Sequence, residues 1–481
     1  MATEKKKKST VYYINAVITV VVMLLGWVIP APAPMTPVGI KLAFAILGGI
    51  YGWITCDTVW PSFAALVVFA FSGYTGGDAA FVLAGGNRTT LYILVLFFFA
   101  AIFITTDTAP IVAQRIVSLK MARGRPWVLV MLILIASFVP AIIIGGVPAT
   151  LIIWSIIYAI CDEVGMKPGC KWGAVMVVIT AITATFGHNV LPFQSSNAGT
   201  FGVLSALDPT YSLPYGKFLI ITILYAIIAI IVYWLYIKFI VKPDVSALMA
   251  YDTNKEIPKF NFAQKMVLWL FLALFILLMI PNTFPTTGIG QLLKKLGNTG
   301  IVVTIVAIAL LIKKDGKFVV DFKKVAAAVP WGAIMMTDAG LTISNTFGDD
   351  ATGINLWVNQ VVTPLFEGKS PVVLVLLIIL GGLILTNMLN NGVVSFIMVP
   401  ILFTFKDLMS PELFMAGMIM FMCEVNMAFV LPSGSTSAAI LAANREWVKP
   451  KELFTYTGVG VIIVYVLGAI MLAIATAICA L

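Results

Sequence analysis

Val190-Leu191-Pro192-Phe193-Gln194-Ser195-Ser196-Asn197-Ala198 decides how this chain is read. An apolar run enters it, stops at Pro192 and gives way to small hydroxyl and amide side chains. Proline removes a backbone donor and clashes with the preceding turn, so a helix breaks there. The same design returns as Val430-Leu431-Pro432-Ser433-Gly434-Ser435-Thr436-Ser437-Ala438. In water each would be a loop. Here each lies within an apolar segment long enough to sit in a bilayer. Irregular backbone survives at that depth only where protein or water surrounds it.

Composition sets the solvent. Of 481 residues, 61% are hydrophobic and 11% charged, with mean hydropathy +1.05; soluble domains carry about 25% charged residues. The chain reads as an all-α polytopic membrane protein, because roughly 20 apolar residues span a bilayer as helix and a β-barrel would show short alternating strands. Apolar runs near 11–30, 38–56, 60–72, 89–113, 216–241, 264–281, 300–312, 325–345 and 455–480 approach or exceed that length.

The net charge of +9 would suit nucleic acid, but its placement excludes that partner. Lys5 to Lys8 precede the first span. Arg115, Lys120, Arg123 and Arg125 fall together, as do Lys313, Lys314, Lys317, Lys323 and Lys324, and then Arg445, Lys449 and Lys451. Basic loops mark the cytoplasmic side. The opposite side receives few, among them Arg88, Lys217, Lys294, Lys295, Lys369 and Lys406. This predicts a multi-pass protein of the inner (plasma) membrane with its N-terminus cytoplasmic and its C-terminus outside. Cys56, Cys161, Cys170, Cys423 and Cys479 show no CxxC spacing and read as reduced and structural. No nucleotide loop, zinc motif or nucleophile–base pair is found, which argues against an enzyme and against a cofactor. No rings of charge or repeated filter sequences point to a channel.

Residues 1–10 read as a cytoplasmic tail and 11–37 as the first span with its external turn. Two related units follow, 38–241 and 266–481, joined by the polar cytoplasmic linker 242–265. Thr106-Asp107 pairs with Thr337-Asp338, and Arg125-Pro126-Trp127-Val128 with Ser370-Pro371-Val372-Val373. Each unit then holds an apolar run interrupted midway, at Gly145-Gly146-Val147-Pro148 and at Asn390-Asn391-Gly392-Val393, before the broken helix. The charge distribution favours re-entrant helical hairpins over 126–160 and 371–406, followed by broken helices over 173–206 and 413–443. The two units are thereby expected to be inverted repeats, as in many secondary transporters.

Broken helices expose N–H groups at one end and carbonyls at the other. The first suit an anion. The second, with hydroxyl and amide oxygens, suit a hard cation, and we extend this to sodium. Candidate anion ligands are Gly145, Gly146, Ser195, Ser196, Asn197, Asn390, Asn391, Ser435 and Thr436. Candidate sodium ligands are Asn387, Asn391, Gly392, Ser433, Ser437, Gly146, Gln194 and Thr200. Carboxylates within a membrane run are expensive and functional by default. Asp107 and Asp338, at equivalent positions, are therefore candidates for ion coupling, with proton-coupled symport or anion exchange as the alternative reading. Glu424 is placed to reach Asn426 or the second break. His188, the sole histidine, reads as packed and hydrogen-bonded, since its repeat counterpart is Ala428.

Val329-Pro330-Trp331-Gly332-Ala333-Ile334, Thr386-Asn387-Met388-Leu389-Asn390-Asn391-Gly392-Val393 with Met398-Val399-Pro400-Ile401, and Leu431-Pro432-Ser433-Gly434 with Trp447-Val448-Lys449 resemble the divalent anion/sodium symporter family of the ion transporter superfamily. The resemblance implies eleven spans plus two re-entrant hairpins. It also implies a homodimer with an elevator-type motion, and sodium-coupled transport of carboxylates or sulfate. The family's hairpin tips carry a Ser-Asn-Thr signature. Here the tips read Gly145-Gly146-Val147 and Asn390-Asn391-Gly392 instead. The expected partners are a small, carboxylate-type anion, sodium ions, the bilayer and a second copy of the chain.

Overall fold

The computed structural model describes residues 10–252, 257–347, 349–366 and 368–481. Most of the expected N-terminal tail and part of the expected linker lie outside the described residues. The first half contains α1 (Thr10–Leu24), α2 (Pro37–Thr55), α3 (Trp60–Phe71), α4 (Asp78–Gly85), α5 (Arg88–Thr105), α6 (Thr108–Val117), α7 (Pro126–Ile144), α8 (Gly146–Glu163), α9 (Lys171–Asn189), α10 (Ser195–Leu207) and α11 (Tyr215–Leu235). The second contains α12 (Phe262–Thr283), α13 (Gly288–Leu311), α14 (Phe322–Ala328), α15 (Trp331–Ser344), α16 (Ile354–Phe366), α17 (Pro371–Thr386), α18 (Asn391–Thr404), α19 (Pro411–Glu424), α20 (Thr436–Ala443) and α21 (Pro450–Ala480). Two two-residue strands between α13 and α14 are the only sheet among the described residues. Nine described helices are long and apolar enough to cross a membrane.

The local chemistry of the helix starts is legible. Thr36, Ser370 and Ser410 accept from the third backbone N–H beyond them, each followed by proline at the first helical position. Both choices suit that place: the hydroxyl satisfies an orphan donor, and proline has none to satisfy. Asn261 and Gln264 form a reciprocal capping box at α12.

Two helices form the centre. Almost every residue of α9 is buried, and so is nearly all of α19. A helix apolar on all sides belongs inside protein. Around them pack α7, α8, α11, α17, α20 and α21. A second group joins α1–α6 to α12–α16, with α5 lying against α13 and α14, and α15 against α3. The two groups meet most extensively where α6 packs on α7 and α8, and also where α10 touches α5 and α15 and α16 touches α18. α7 and α8 pack on one another and both on α9, so the chain turns back at Gly145; α17 and α18 likewise pack on each other.

Three expectations need correction. The run 89–113 is not one helix. Thr105 and Thr106 donate their hydroxyls back to the carbonyls of Ala101, Ile102 and Phe103, and the chain reverses at Asp107, whose φ is 51°. Asp107 therefore sits in an exposed turn, not within an apolar span. The run 325–345 bends by 58° at Val329-Pro330, where proline cannot continue α14. Run 300–312 is the latter part of α13, whose earlier turns bend away at Gly297 with φ 73°.

The basic clusters gather at one end. Arg115 donates to the Pro258 carbonyl at 3.0 Å and stands 4.5 Å over the Phe260 ring. Lys314 stands over Phe262, and Trp447 stacks on Tyr158 at 4.3 Å. At the other end Tyr74 donates to Asp349, Lys406 pairs with Asp208 at 3.8 Å, and Lys217 reaches the Cys479 carbonyl near the C-terminus.

Candidate functional site

The four interruptions surround one cavity of about 510 Å³. Its wall includes Gly145–Pro148, Gln194–Ser196 with Gly199 and Thr200, Asn390–Gly392 with Ser395, and Ser435–Ser437. α5 and α15 close the opposite side through Ile93, Phe97, Met336 and Thr337. Among its lining residues Ile104, Ala328, Pro330 and Thr436 are exposed, so the cavity is open to the outside of the protein on their side. Among the described residues no Asp, Glu, Lys or Arg lines it. α8, α10, α18 and α20 all begin at this cavity. Each helix start carries unpaired N–H groups and about half a positive charge. Four such ends around a neutral wall favour a small anion without a fixed cation.

The ends are not alike. At α8 the preceding residue is Gly145, which has no side chain to cap with, and its φ of 85° suits glycine. At α10 the preceding Gln194 turns away and donates to the Ile142 carbonyl at 2.6 Å, leaving that start uncapped. At α18 Asn390 accepts from Gly392 N at 2.9 Å. At α20 Ser435 accepts from Ala438 N at 3.0 Å while donating to the Ala428 carbonyl.

Most of the expected ligands meet here. Gly145, Gly146, Ser195, Ser196, Asn390, Asn391, Ser435 and Thr436 all line the cavity, as do Gly392, Ser437, Gln194 and Thr200. Thr200 and Ser395 join hydroxyls at 2.9 Å between α10 and α18. Three expected residues stand apart. Asn197 is buried, and its amide donates to the carbonyls of Asn189 and Leu191. Asn387 accepts from Phe429 N and Val430 N and donates to the Leu383 and Met427 carbonyls. Both side chains hold unwound backbone; Asn387 is fully paired in doing so, whereas Asn197 Oδ1 has no partner among the described residues. Ser433 is exposed and outside the cavity wall.

The acidic candidates also separate. Asp107 lies in its turn, away from the cavity. Asp338 is buried within α15, 8% exposed, beside the Thr90 hydroxyl of α5. The two do not share an environment, which corrects their expected equivalence. Glu424 is fully buried but faces away from the second break. The Tyr225 hydroxyl lies 3.5 Å from it while donating to the Val464 carbonyl at 2.9 Å, and Glu424 presses on Gly468, where any side chain would collide with it.

Sequence reasoning passed over Asn426 and the cavity face of His188. Asn426 donates to Asn189 Oδ1 at 2.9 Å and accepts from Asn391 Nδ2 at 3.2 Å. The Thr386 hydroxyl, which donates to the Val425 carbonyl at 2.5 Å, lies 2.9 Å from Asn391 Oδ1. This amide chain ties the second hairpin tip to the first broken helix. Asn189 and Asn426 are far apart in sequence, so no local pattern signals the pair. α10's opposite face borders a second cavity of about 300 Å³, lined by Arg88, Tyr92, Tyr215 and Asn298.

Membrane-length helices around a cage built from helix starts are the architecture of a polytopic membrane protein. The chain belongs to the sodium:sulfate symporter transmembrane family, whose profile matches residues 10–479. It is 28% identical over 245 residues to the sodium-dependent dicarboxylate transporter SdcS of Staphylococcus saprophyticus, covering 47% of this chain and 44% of that protein. It is 24% identical over 301 residues to the sodium-dependent high-affinity dicarboxylate transporter 3 of Caenorhabditis elegans, covering 57% of this chain and 52% of that protein. The chain thus spans about half or less of the length of the curated relatives it matches. Its fold is similar to that of the Alcanivorax borkumensis YdaH transporter, with TM-score 0.58 at 13% identity over 97% of this chain and 98% of that one.

Proposed function

We propose that the chain carries a small dicarboxylate-type anion across the inner membrane together with sodium. The carrying observation is the convergence of four helix starts on one cavity with no charged side chain in its wall. Backbone N–H groups compensate the anion's charge, while neutral donors keep binding weak enough to reverse. Sodium takes oxygen ligands among Thr200, Ser395, Asn391 and Ser437, and its charge favours the loaded state. The names of the sodium-dependent dicarboxylate relatives support this choice of substrate and ion.

The motion we propose is a shift between two populations, with α7–α11 and α17–α21 moving as one body against α1–α6 and α12–α16. The two bodies are inverted repeats in our reading, paired in a homodimer. With the basic end cytoplasmic, the N-terminus lies inside and the C-terminus outside. Tight binding alone moves nothing; the ion and anion together must favour one state.

Uptake of labelled succinate into proteoliposomes tests this. A sodium gradient should drive saturable uptake that a protonophore leaves intact. Uptake driven by a proton gradient in choline, and lost in Asp338→Asn, would replace the reading with proton coupling. If folded Asn391→Ala and Ser196→Ala keep normal affinity for succinate and sodium, the site is misplaced.

A further inference from the structure

The first hairpin tip offers no side-chain donor, since Gly145 and Gly146 have none and Val147 is apolar. One polar side chain stands against it. His188, at the end of α9, lines the cavity, and its Nδ1 lies 3.5 Å from where a Cβ on Gly145 would sit. Nδ1 is enclosed and has no hydrogen-bond partner among the described residues. A buried polar atom without a partner carries a cost unless a ligand satisfies it.

The other ring nitrogen sets what Nδ1 can do. Nε2 lies 2.8 Å from Ser196 Oγ. The Asn426 amide nitrogen lies 3.5 Å from the same oxygen, but its two hydrogens go to Asn189 Oδ1 at 2.9 Å and the Met422 carbonyl at 3.0 Å. Among the described residues Nε2 is the one acceptor the Ser196 hydroxyl reaches, and we take the hydroxyl to donate to it. Nε2 then accepts, and the neutral ring carries its hydrogen on Nδ1. The Ser196–His188 pair thus ends in an N–H enclosed against Gly145, beside the uncapped start of α8.

We propose that His188 is a substrate ligand and donates from Nδ1 to a carboxylate oxygen of the transported anion, in place of the side chains the first tip lacks. This rests on the reading of the cavity as an anion site. Ser196 is its positioning residue. The repeat offers no counterpart, because Ala428 occupies the matching place.

The test uses the full chain in proteoliposomes with succinate as probe. His188→Ala should raise the succinate KM about tenfold, the size of one hydrogen bond to a charged group, and leave half-maximal sodium unchanged. His188→Asn, whose amide can place a donor near Nδ1, should recover most of the affinity. Because this is the sole histidine, 15N-imidazole labelling gives one residue's signals. In wild type they should report a neutral ring protonated at Nδ1, with that signal moving when succinate and sodium are added together. A ring protonated at Nε2, or one indifferent to succinate, overturns the proposal even if His188→Ala does not fold. So does a folded His188→Ala with unchanged KM. If wild type binds neither succinate nor sulfate, the anion-site reading itself falls, and the proposal falls with it.

Discussion

In the first half of the chain the helix starts that face the cavity are bare; in the second they are closed. Gly145 and Gln194 leave α8 and α10 uncapped, whereas Asn390 and Ser435 cap α18 and α20 with their own side chains. A cap satisfies one of the N–H groups that would otherwise face a ligand. The bare pair therefore has more to give an anion's charge. The capped pair keeps its shape without a ligand and presents hydroxyl and amide groups. Similar sequence plans have produced one half suited to charge and one suited to fit.

The comparison can be broken by mutation. The largest expected effects concern the two asparagines that hold unwound backbone. Asn387→Ala strands two backbone N–H groups and exposes two carbonyls, and should cost about 3 kcal/mol of stability in detergent unfolding. Asn197→Ala releases only two carbonyls and should cost about 2 kcal/mol or less. Equal losses would mean the two breaks are held alike. Next come the tips. Gly145 has φ 85°, so Gly145→Ala should cost about 1–2 kcal/mol and weaken succinate binding. Gly392 has ordinary backbone and its nearest neighbours are side-chain atoms at 3.2 and 3.3 Å, so Gly392→Ala should be milder by the same calorimetric and binding assays.

Caps give a smaller contrast. Ser435→Ala removes a cap and should lower stability by about 1 kcal/mol. Ser195→Ala, at the matching position of the first half, should leave the thermal midpoint unchanged while reducing succinate affinity. The reverse pattern would erase the distinction between bare and closed ends. The smallest effect lies outside the membrane. The neighbouring Cys161 thiol and the N–H groups opening α9 hold the Cys170 thiol below the usual thiol range. Its thiolate therefore forms at lower pH than that of an ordinary thiol, about 8.5. Maleimide labelling should be fastest at Cys170 among the five cysteines. In Cys161→Ala the pH at which labelling rises should move upward.

Much of this was written in the sequence. Pro192, Gly145, Asn390 and Pro432 mark their interruptions because each defeats a continuous helix locally, and their order along the chain locates the cavity wall. What spacing could not tell is which way a side chain turns at a break. Asn197 and Asn387 looked like ligands because amides beside unwound backbone can face either the cavity or the backbone. Asp107 looked intramembrane because hydropathy does not register the threonine back-bonding that stops α5. A lone histidine reads as packed and hydrogen-bonded, and no spacing reveals that one of its ring nitrogens lacks a partner. The link from Asn391 through Asn426 to Asn189 depends on contacts between the two halves, which no window of sequence contains.

The most direct test is to locate the bound anion. A cryo-electron microscopy structure of the full chain in sodium and succinate should place one carboxylate within hydrogen-bond distance of the N–H groups of Gly146, Val147, Ser195 or Ser196. Density confined to the starts of α18 and α20, or absent from the cavity while the anion is demonstrably bound, would contradict the account.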